Sequence, residues 1–190
     1  MPMSGGYEYL VLAREDLSGW LEMEPLREAK SASVAAFLWK NVISRFGCFE
    51  RLVVDGGSEN KKFTTNMLLR YGIRKIRISP YNAQGNGMVE RGHAPVVSAL
   101  SKLTEGGRSG WHTHIPAVAW ADRSTVRAST GHTPAYMIYG HELVLPIEQE
   151  YLTRETAAWA RIRTREELLA QRAKQIERRD INLEEALTRL

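Results

Sequence analysis

Apolar and polar positions in the first eighty residues follow two alternating periods. Tyr7 to Ala13 is dominated by Tyr7, Tyr9, Leu10, Val11 and Leu12 and reads as a strand. Asp16-Leu17-Ser18-Gly19 is a turn, and Trp20 to Leu26 alternates in character as a returning strand, which predicts a β-hairpin. Ser31 or Ser33 is positioned to cap a helix whose apolar face is Val34, Phe37, Leu38, Val42 and Ile43, with Phe46 beyond and Gly47 as its stop. The Leu52–Val54 run is too apolar for a half-wet edge strand and is expected to be central. Gly56-Gly57-Ser58 then turns the chain. A helix follows from about Lys62 to Tyr71, with Phe63, Met67, Leu68 and Tyr71 inward and Gly72 ending it. Lys75 to Ser79 is a further strand with Ile76 and Ile78 on one face, closed by Pro80.

The period lengthens after this point. A helix is expected from Gly87, with Val89, Val96, Leu100 and Leu103 as its core stripe, until Gly106-Gly107 breaks it. Trp111 to about Val126 is a second helix with Trp111, Ile115, Val118 and Ala119 inward and Pro116 in its first turn. Thr130 to Pro146 is turn-rich, with one helical turn at Ala135–Tyr139. Trp159, Ile162, Leu169, Ala173, Ile176, Leu183, Leu187 and Leu190 recur at three-and-four spacing, interrupted at Glu166 and Asp180. This predicts a long amphipathic helix or helix pair. Short helices alternating with strands that read as buried on both faces make the fold α/β: a mixed sheet flanked by helices.

Composition changes this picture little. Hydrophobic residues at 43% and charged residues at 25% match an ordinary globular chain. The formal charge of +4 permits a nucleic-acid partner without requiring one. A single cysteine, Cys48, excludes an intrachain disulfide and a cysteine-rich zinc site, and its setting between Phe46-Gly47 and Phe49 reads as a buried structural thiol. The first ten residues lack the basic flank and apolar core of a signal peptide, and no run of 18 apolar residues exists, so no membrane partner is expected. Residues 152–190 hold nine Arg or Lys and seven Asp or Glu, a balance that favours a protein partner or the domain's own surface over DNA.

The candidate chemistry lies in two carboxylates. Asp55 follows the Leu52–Val54 strand at its C-terminal end, where open α/β sheets place their sites. Glu90 follows a polar loop bearing Asn82, Gln84 and Asn86, whose amides could meet phosphates or nucleotides, with Gly85 and Gly87 allowing close backbone approach. Two such oxygen donors suit a divalent metal in phosphoryl transfer. A complete site of this kind normally has a third.

Leu52-Val53-Val54-Asp55-Gly56-Gly57-Ser58-Glu59-Asn60 and Ser79-Pro80-Tyr81-Asn82-Ala83-Gln84-Gly85-Asn86-Gly87-Met88-Val89-Glu90-Arg91 resemble the second and third acidic motifs of retroviral and retrotransposon integrases, most of all the Ty3/gypsy type and especially fungal ones. Tyr9 to Trp20 looks like the hairpin of that domain. Gly131-His132-Thr133-Pro134-Ala135-Tyr136-Met137-Ile138-Tyr139-Gly140 with Leu145-Pro146-Ile147 looks like the segment after the core. The resemblance covers roughly residues 5 to 150 and implies an RNase H-like fold, DNA integration by strand transfer, Mg2+ or Mn2+ as cofactor with no small-molecule cofactor, DNA as partner, a homo-oligomer or helix-mediated protein partner, and the nucleus as location. It divides the chain into a core at 1–127, a post-core wrap at 128–151 and a helical extension at 152–190.

By the same likeness Asp55 and Glu90 are the second and third catalytic and metal-binding acids. They are separated by 34 residues, one fewer than is usual in the family. Tyr81, Asn82, Gln84, Asn86, Arg91, His93, Lys61 and Lys62 are the candidate nucleic-acid contacts. Arg70, Arg74, Lys75 and Arg77 could add phosphate contacts or form a solvated basic face. The first acid of the family belongs to a first strand upstream of the hairpin, which falls before Met1. Asp16 matches a turn position, where its carboxylate would accept backbone donors, instead of a catalytic one. The His/Cys zinc domain of integrases is absent from these residues, and His93 stands where the family often has Asn. These departures imply an impaired enzyme, or alternatively a non-catalytic nucleic-acid- or protein-binding remnant.

Overall fold

The computed structural model describes residues 2–54, 57, 62–77, 83–104, 110–145 and 164–189, with the backbone alone for 83–92, 168 and 170–179. Two compact units divide the chain: Met1–Arg14 with Leu21–Trp120, and Glu15–Trp20 with Ala121–Leu190.

In the first unit, β1 (Tyr9–Arg14) and β2 (Leu21–Leu26) pair antiparallel, with Leu12 opposite Met23 and Ala13 opposite Glu22. Alternation along each strand sends two different sets of side chains to the two faces. Leu10, Leu12, Leu21 and Met23 join one core with Val96, Leu100, Trp111, Ile115, Val118 and Ala119. Val11, Ala13 and Leu26 join another with Val34, Phe37 and Leu38. The first three residues of β2 are therefore all buried, although one is an acid. Glu22 meets this cost through Arg45, whose guanidinium Nη1 donates to Oε1 at 2.6 Å. Two residues along the same face, Glu24 accepts from Asn41 at 2.6 Å and from Lys40 at 3.2 Å.

The covering helix is α1 (Ser31–Phe37), a π-helical stretch (Leu38–Ile43) and α2 (Ser44–Phe46) in continuous succession. The amide of Ser44 bonds the carbonyl of Trp39, five residues back, which is the bond that defines π winding. Ser31 does not cap α1. The N-cap is Lys30 without a side-chain bond, and the Ser31 hydroxyl instead accepts from the Thr64 amide at 2.9 Å while its carbonyl accepts from the Thr64 hydroxyl at 3.1 Å. The serine fastens α1 to the start of α3 (Lys62–Arg70).

Strands β3 (Arg51–Val54) and β4 (Arg74–Arg77) pair parallel, Arg51 opposite Arg74 and Val53 opposite Ile76. The expected hairpin is present, and in place of one mixed sheet the described residues form two two-stranded sheets, one antiparallel and one parallel. The reading of β3 as a central strand is corrected: Arg51 and Val53 are exposed, while Leu52 packs under α1 and α3. Among the described residues, helices cover one face of this pair. Phe63, expected inward, is 55% exposed, because the inward position in the first turn of α3 is taken by Thr64. Cys48, expected buried, is exposed in the loop after Gly47. Ile78 lies outside the described residues.

Helix α4 (Ala83–Leu103) begins four residues before the expected Gly87. Gly85 and Gly87 are thus helical residues, which corrects their assignment to a loop. Val96 and Leu100 are fully buried as expected, but Leu103 is exposed at the helix end. Val89 has no described side chain, and Gly106-Gly107 falls outside the described residues. A 3-10 turn (Trp111–His114) leads into α5 (Ile115–Ser124), with Pro116 in the first turn, where its missing N–H costs nothing. Trp111 Nε1 donates to the Pro2 carbonyl at 2.8 Å, and the Ser4 hydroxyl meets His112 Nδ1 at 3.1 Å, so the first residues strap the 3-10 turn.

In the second unit, the turn Glu15–Trp20 needs Gly19 at φ +71°, and a Cβ there would strike the Arg127 guanidinium. Arg123 lies 4.5 Å over the Trp20 ring, and Tyr139 meets that ring edge-on at 5.3 Å. Helix α6 (Pro134–Tyr139) is capped by Thr133, which accepts from the Tyr136 amide, and ends at Gly140. Helix α7 (Arg165–Arg189) begins with a reciprocal cap: Thr164 accepts from the Glu167 amide while Glu167 accepts from the Thr164 amide, both at 3.2 Å. It docks on α6 through Asn182, which donates to the Tyr136 hydroxyl at 2.7 Å; Ala186 is buried, and Arg189 reaches the Thr130 carbonyl. Trp159, Ile162 and Leu190 of the predicted amphipathic series lie outside the described residues.

Candidate nucleic-acid interface

The parallel pair positions the candidate site. β3 runs through Leu52, held by the α1 and α3 cores, and ends at Val54, so position 55 follows at its C-terminal end. Asp55 itself lies outside the described residues, as do Lys61, Tyr81 and Asn82. Gln84, Asn86, Glu90 and Arg91 are on α4, with their backbone described and their side chains not. Asn86 and Glu90, four apart, share one side of that helix, and His93 follows Glu90 by three. His93 is half-buried. The buried Val96 and Leu100 fix the rotation of α4 about its axis and so the side on which Glu90 falls.

Basic residues gather on α3 and the β3–β4 pair. Lys62 opens α3 with φ +27°, unique to it among the described non-glycine residues, and its ammonium stands 5.6 Å from the Phe63 ring centroid. Arg70, Arg74 and Arg77 are exposed. Arg51, not anticipated from sequence, is exposed opposite Arg74 in the parallel register. Its signal was available: Arg51, Val53, Arg74 and Ile76 alternate with the inward residues of two short strands. Lys75 differs from its neighbours, being half-buried with its ammonium donating to the Thr65 hydroxyl at 3.0 Å. The exposed face of the sheet therefore presents Arg51 and Arg74 beside Val53 and Ile76. Such a face can bind phosphate oxygens through charge-assisted hydrogen bonds.

Asp16 sits exposed in the hairpin turn. It is not the residue that accepts the backbone donors there. Glu15 does so, taking the Leu17 amide at 3.1 Å and the Ser18 amide at 2.6 Å, with the Ser18 hydroxyl at 2.5 Å. Among the described residues no group of three or more His, Cys, Asp or Glu gathers as a metal site, and no helix is long and apolar enough to cross a membrane. Glu22 and its partner Arg45 were also missed by sequence reading, although an acid flanked by Leu21 and Met23 in a strand is a visible request for a partner.

No family model matches the chain. It is 30% identical over 137 residues to the Gag-Pol polyprotein of feline leukemia virus, a match over 71% of this chain and 8% of that polyprotein. It is 28% identical over 174 residues to the Pro-Pol polyprotein of feline foamy virus, covering 90% of this chain and 14% of that one. The chain thus spans a small fraction of the length of the curated relatives it matches. Among solved structures it superposes on the catalytic core domain of BIV integrase with a TM-score of 0.55 and 26% identity, over 75% of this chain and 87% of that one. The simian T-cell lymphotropic virus intasome, solved with the PP2A regulatory subunit B56 gamma, shares the fold at TM-score 0.60 and 19% identity, over 72% of this chain and 49% of that one. The fold is the RNase H-like α/β fold of retroviral integrase catalytic cores, and the sequence is similar to retroviral Pol proteins.

Proposed function

We propose that this chain carries the core of a metal-dependent polynucleotidyl transferase for DNA integration, of the Ty3/gypsy retrotransposon type, acting on nuclear DNA. The observation that carries the reading is the match at 26% identity over 87% of an integrase catalytic core, with the acidic motifs in order along the chain. Asp55 and Glu90 supply hard carboxylate oxygens of the kind Mg2+ or Mn2+ takes. Such ions activate an attacking oxygen and stabilise a leaving one. Around these acids, Lys62, Arg70, Arg74 and Arg77 would hold the DNA backbone, joined by Lys61, Tyr81, Asn82, Gln84, Asn86, Arg91 and His93. Exposure of Lys62, Arg70, Arg74 and Arg77 supports the first part of that interface. The position of Asp16 in an exposed turn favours a site with two of its three acids in these residues, so the 190-residue chain is expected to transfer strands feebly.

A strand-transfer assay on a labelled DNA end with Mg2+ or Mn2+, run beside a binding measurement, tests this. Binding that weakens steeply with salt and faint transfer lost in Asp55→Asn and Glu90→Gln are expected. Vigorous transfer abolished by Asp55→Asn would overturn the impairment but uphold the site. Transfer unchanged by both substitutions would overturn the site itself.

A further inference from the structure

The final helix carries a surface that its contact with α6 does not use. On one face of α7, Asn182 donates to Tyr136 of α6, Arg189 reaches the Thr130 carbonyl ahead of α6, and Ala186 is buried. The stripe Leu169, Ala173, Ile176, Asp180, Leu183, Leu187 repeats at alternating steps of four and three, which is heptad spacing. Leu187 follows the buried Ala186 by one residue, about 100° around the helix. Leu169 and Leu187 are 59% and 58% exposed.

In this register Leu169, Ile176 and Leu183 occupy d positions, and Ala173, Asp180 and Leu187 occupy a positions. The flanking positions then separate by charge. The g positions are Arg165, Arg172, Arg179 and the buried Ala186, and the e positions include Glu177 and Glu184. When two such helices lie parallel and in register, each g residue meets the e residue five further on in the other helix. Arg172 then meets Glu177 and Arg179 meets Glu184, each twice by symmetry. An antiparallel pair sets g against g, arginine against arginine, and e against e. We propose that α7 pairs with α7 of a second copy of this chain as a short parallel coiled coil. The charge pattern selects both the partner and the direction. This inference is independent of whether the chain transfers DNA strands.

Asp180 places two carboxylates at facing a positions in such a pair, and their repulsion and desolvation hold the association weak. Ala173 leaves the seam thin at its middle. The expected dimer is therefore reversible and depends on concentration.

Sedimentation equilibrium of the full chain tests the inference. Leu169→Glu, at an exposed position where folding is undisturbed, should weaken dimerisation about tenfold or more. Arg172→Glu alone and Glu177→Arg alone should each weaken it, and the two together should restore it, because the swap rebuilds the g–e pair only in the parallel arrangement. Asp180→Leu should tighten it by about tenfold or more. A chain that stays monomeric at its highest soluble concentration, even as Asp180→Leu, would overturn the proposal. Self-association indifferent to Leu169→Glu would overturn it too, placing the contact on another surface, and a charge swap that fails to restore dimerisation would overturn the parallel direction.

Discussion

The two small sheets of the first unit use the same chemistry to different ends. The hairpin β1–β2 is covered on both faces, one by α4 and α5 and the other by α1, so even its acid Glu22 is buried and paired. Among the described residues the β3–β4 pair is covered on one face, and Arg51, Val53, Arg74 and Ile76 are exposed on the other. Strand composition alone does not separate them, since Val53-Val54 is as apolar as any pair in the hairpin. The number of helix layers decides. The doubly covered sheet is a scaffold, and the other, among the described residues, presents side chains to solvent.

The contrast predicts unequal responses to the same truncation. Trp111→Ala, in the core beneath the hairpin, should cost about 3–5 kcal/mol of unfolding free energy. Ile76→Ala, 37% exposed on the open face, should stay below about 1 kcal/mol by denaturant titration. Comparable losses at the two positions would erase the distinction. A smaller effect probes the polar joint that holds α3, and with it the open sheet, to α1. Thr64→Val keeps the volume and the amide that donates to the Ser31 hydroxyl but leaves the Ser31 carbonyl without its donor, and should cost about 1–2 kcal/mol. Loss of hydrogen-exchange protection should then concentrate in α1 and α3 and spare the hairpin. Protection lost equally everywhere would mean that the two sheets share one cooperative unit.

The smallest effect lies at α7, in the second unit. The backbone N–H of Glu166 first, and then the Thr164 hydroxyl, lower the Glu166 carboxyl below its ordinary value of 4.5. A carboxyl lowered on folding favours the folded turn at pH above 4.5, and that contribution disappears as pH falls through the lower folded value. The first turn of α7 should therefore fray on acidification below pH 4.5, read as chemical-shift changes at Thr164–Glu167, with the hairpin unmoved. An α7 first turn whose shifts stay constant through that range would contradict the cap as described.

Much of the architecture was legible in the sequence. Trp111, Ile115, Val118 and Ala119 have a period that only one helical face can satisfy, and all four are buried. Val96 and Leu100 follow for the same reason. The acidic motifs gave the fold class, which the superpositions show. The errors share a cause. Periodicity reports which residues lie on one side of an element, not whether anything covers that side. Val53 and Phe63 were placed inward by a pattern that cannot count neighbours. Hydroxyl and carboxylate partners were harder still. Ser31 matched an N-cap by position yet bonds Thr64, and Asp16 matched a turn acceptor where the adjacent Glu15 has the longer reach. In the candidate interface, the strand preceding Asp55 and the basic residues of α3 and β4 were readable, but Arg51 becomes part of it only through the register with Arg74.

The π-helical stretch Leu38–Ile43 has a consequence for how one helix serves two cores. Five residues of α-helix make about 1.4 turns, which would leave Leu38 and Ile43 on different sides. Bonding to the fifth residue back stacks them instead, so Leu38 packs with the hairpin cluster and Ile43 with the Leu68–Ile73 cluster along one side of the rod. The stretch acts as a phase corrector, absorbing a mismatch between two packing surfaces that a uniform screw could not meet together. A one-residue deletion within it would keep every side-chain type that matters and still throw the second core out of step.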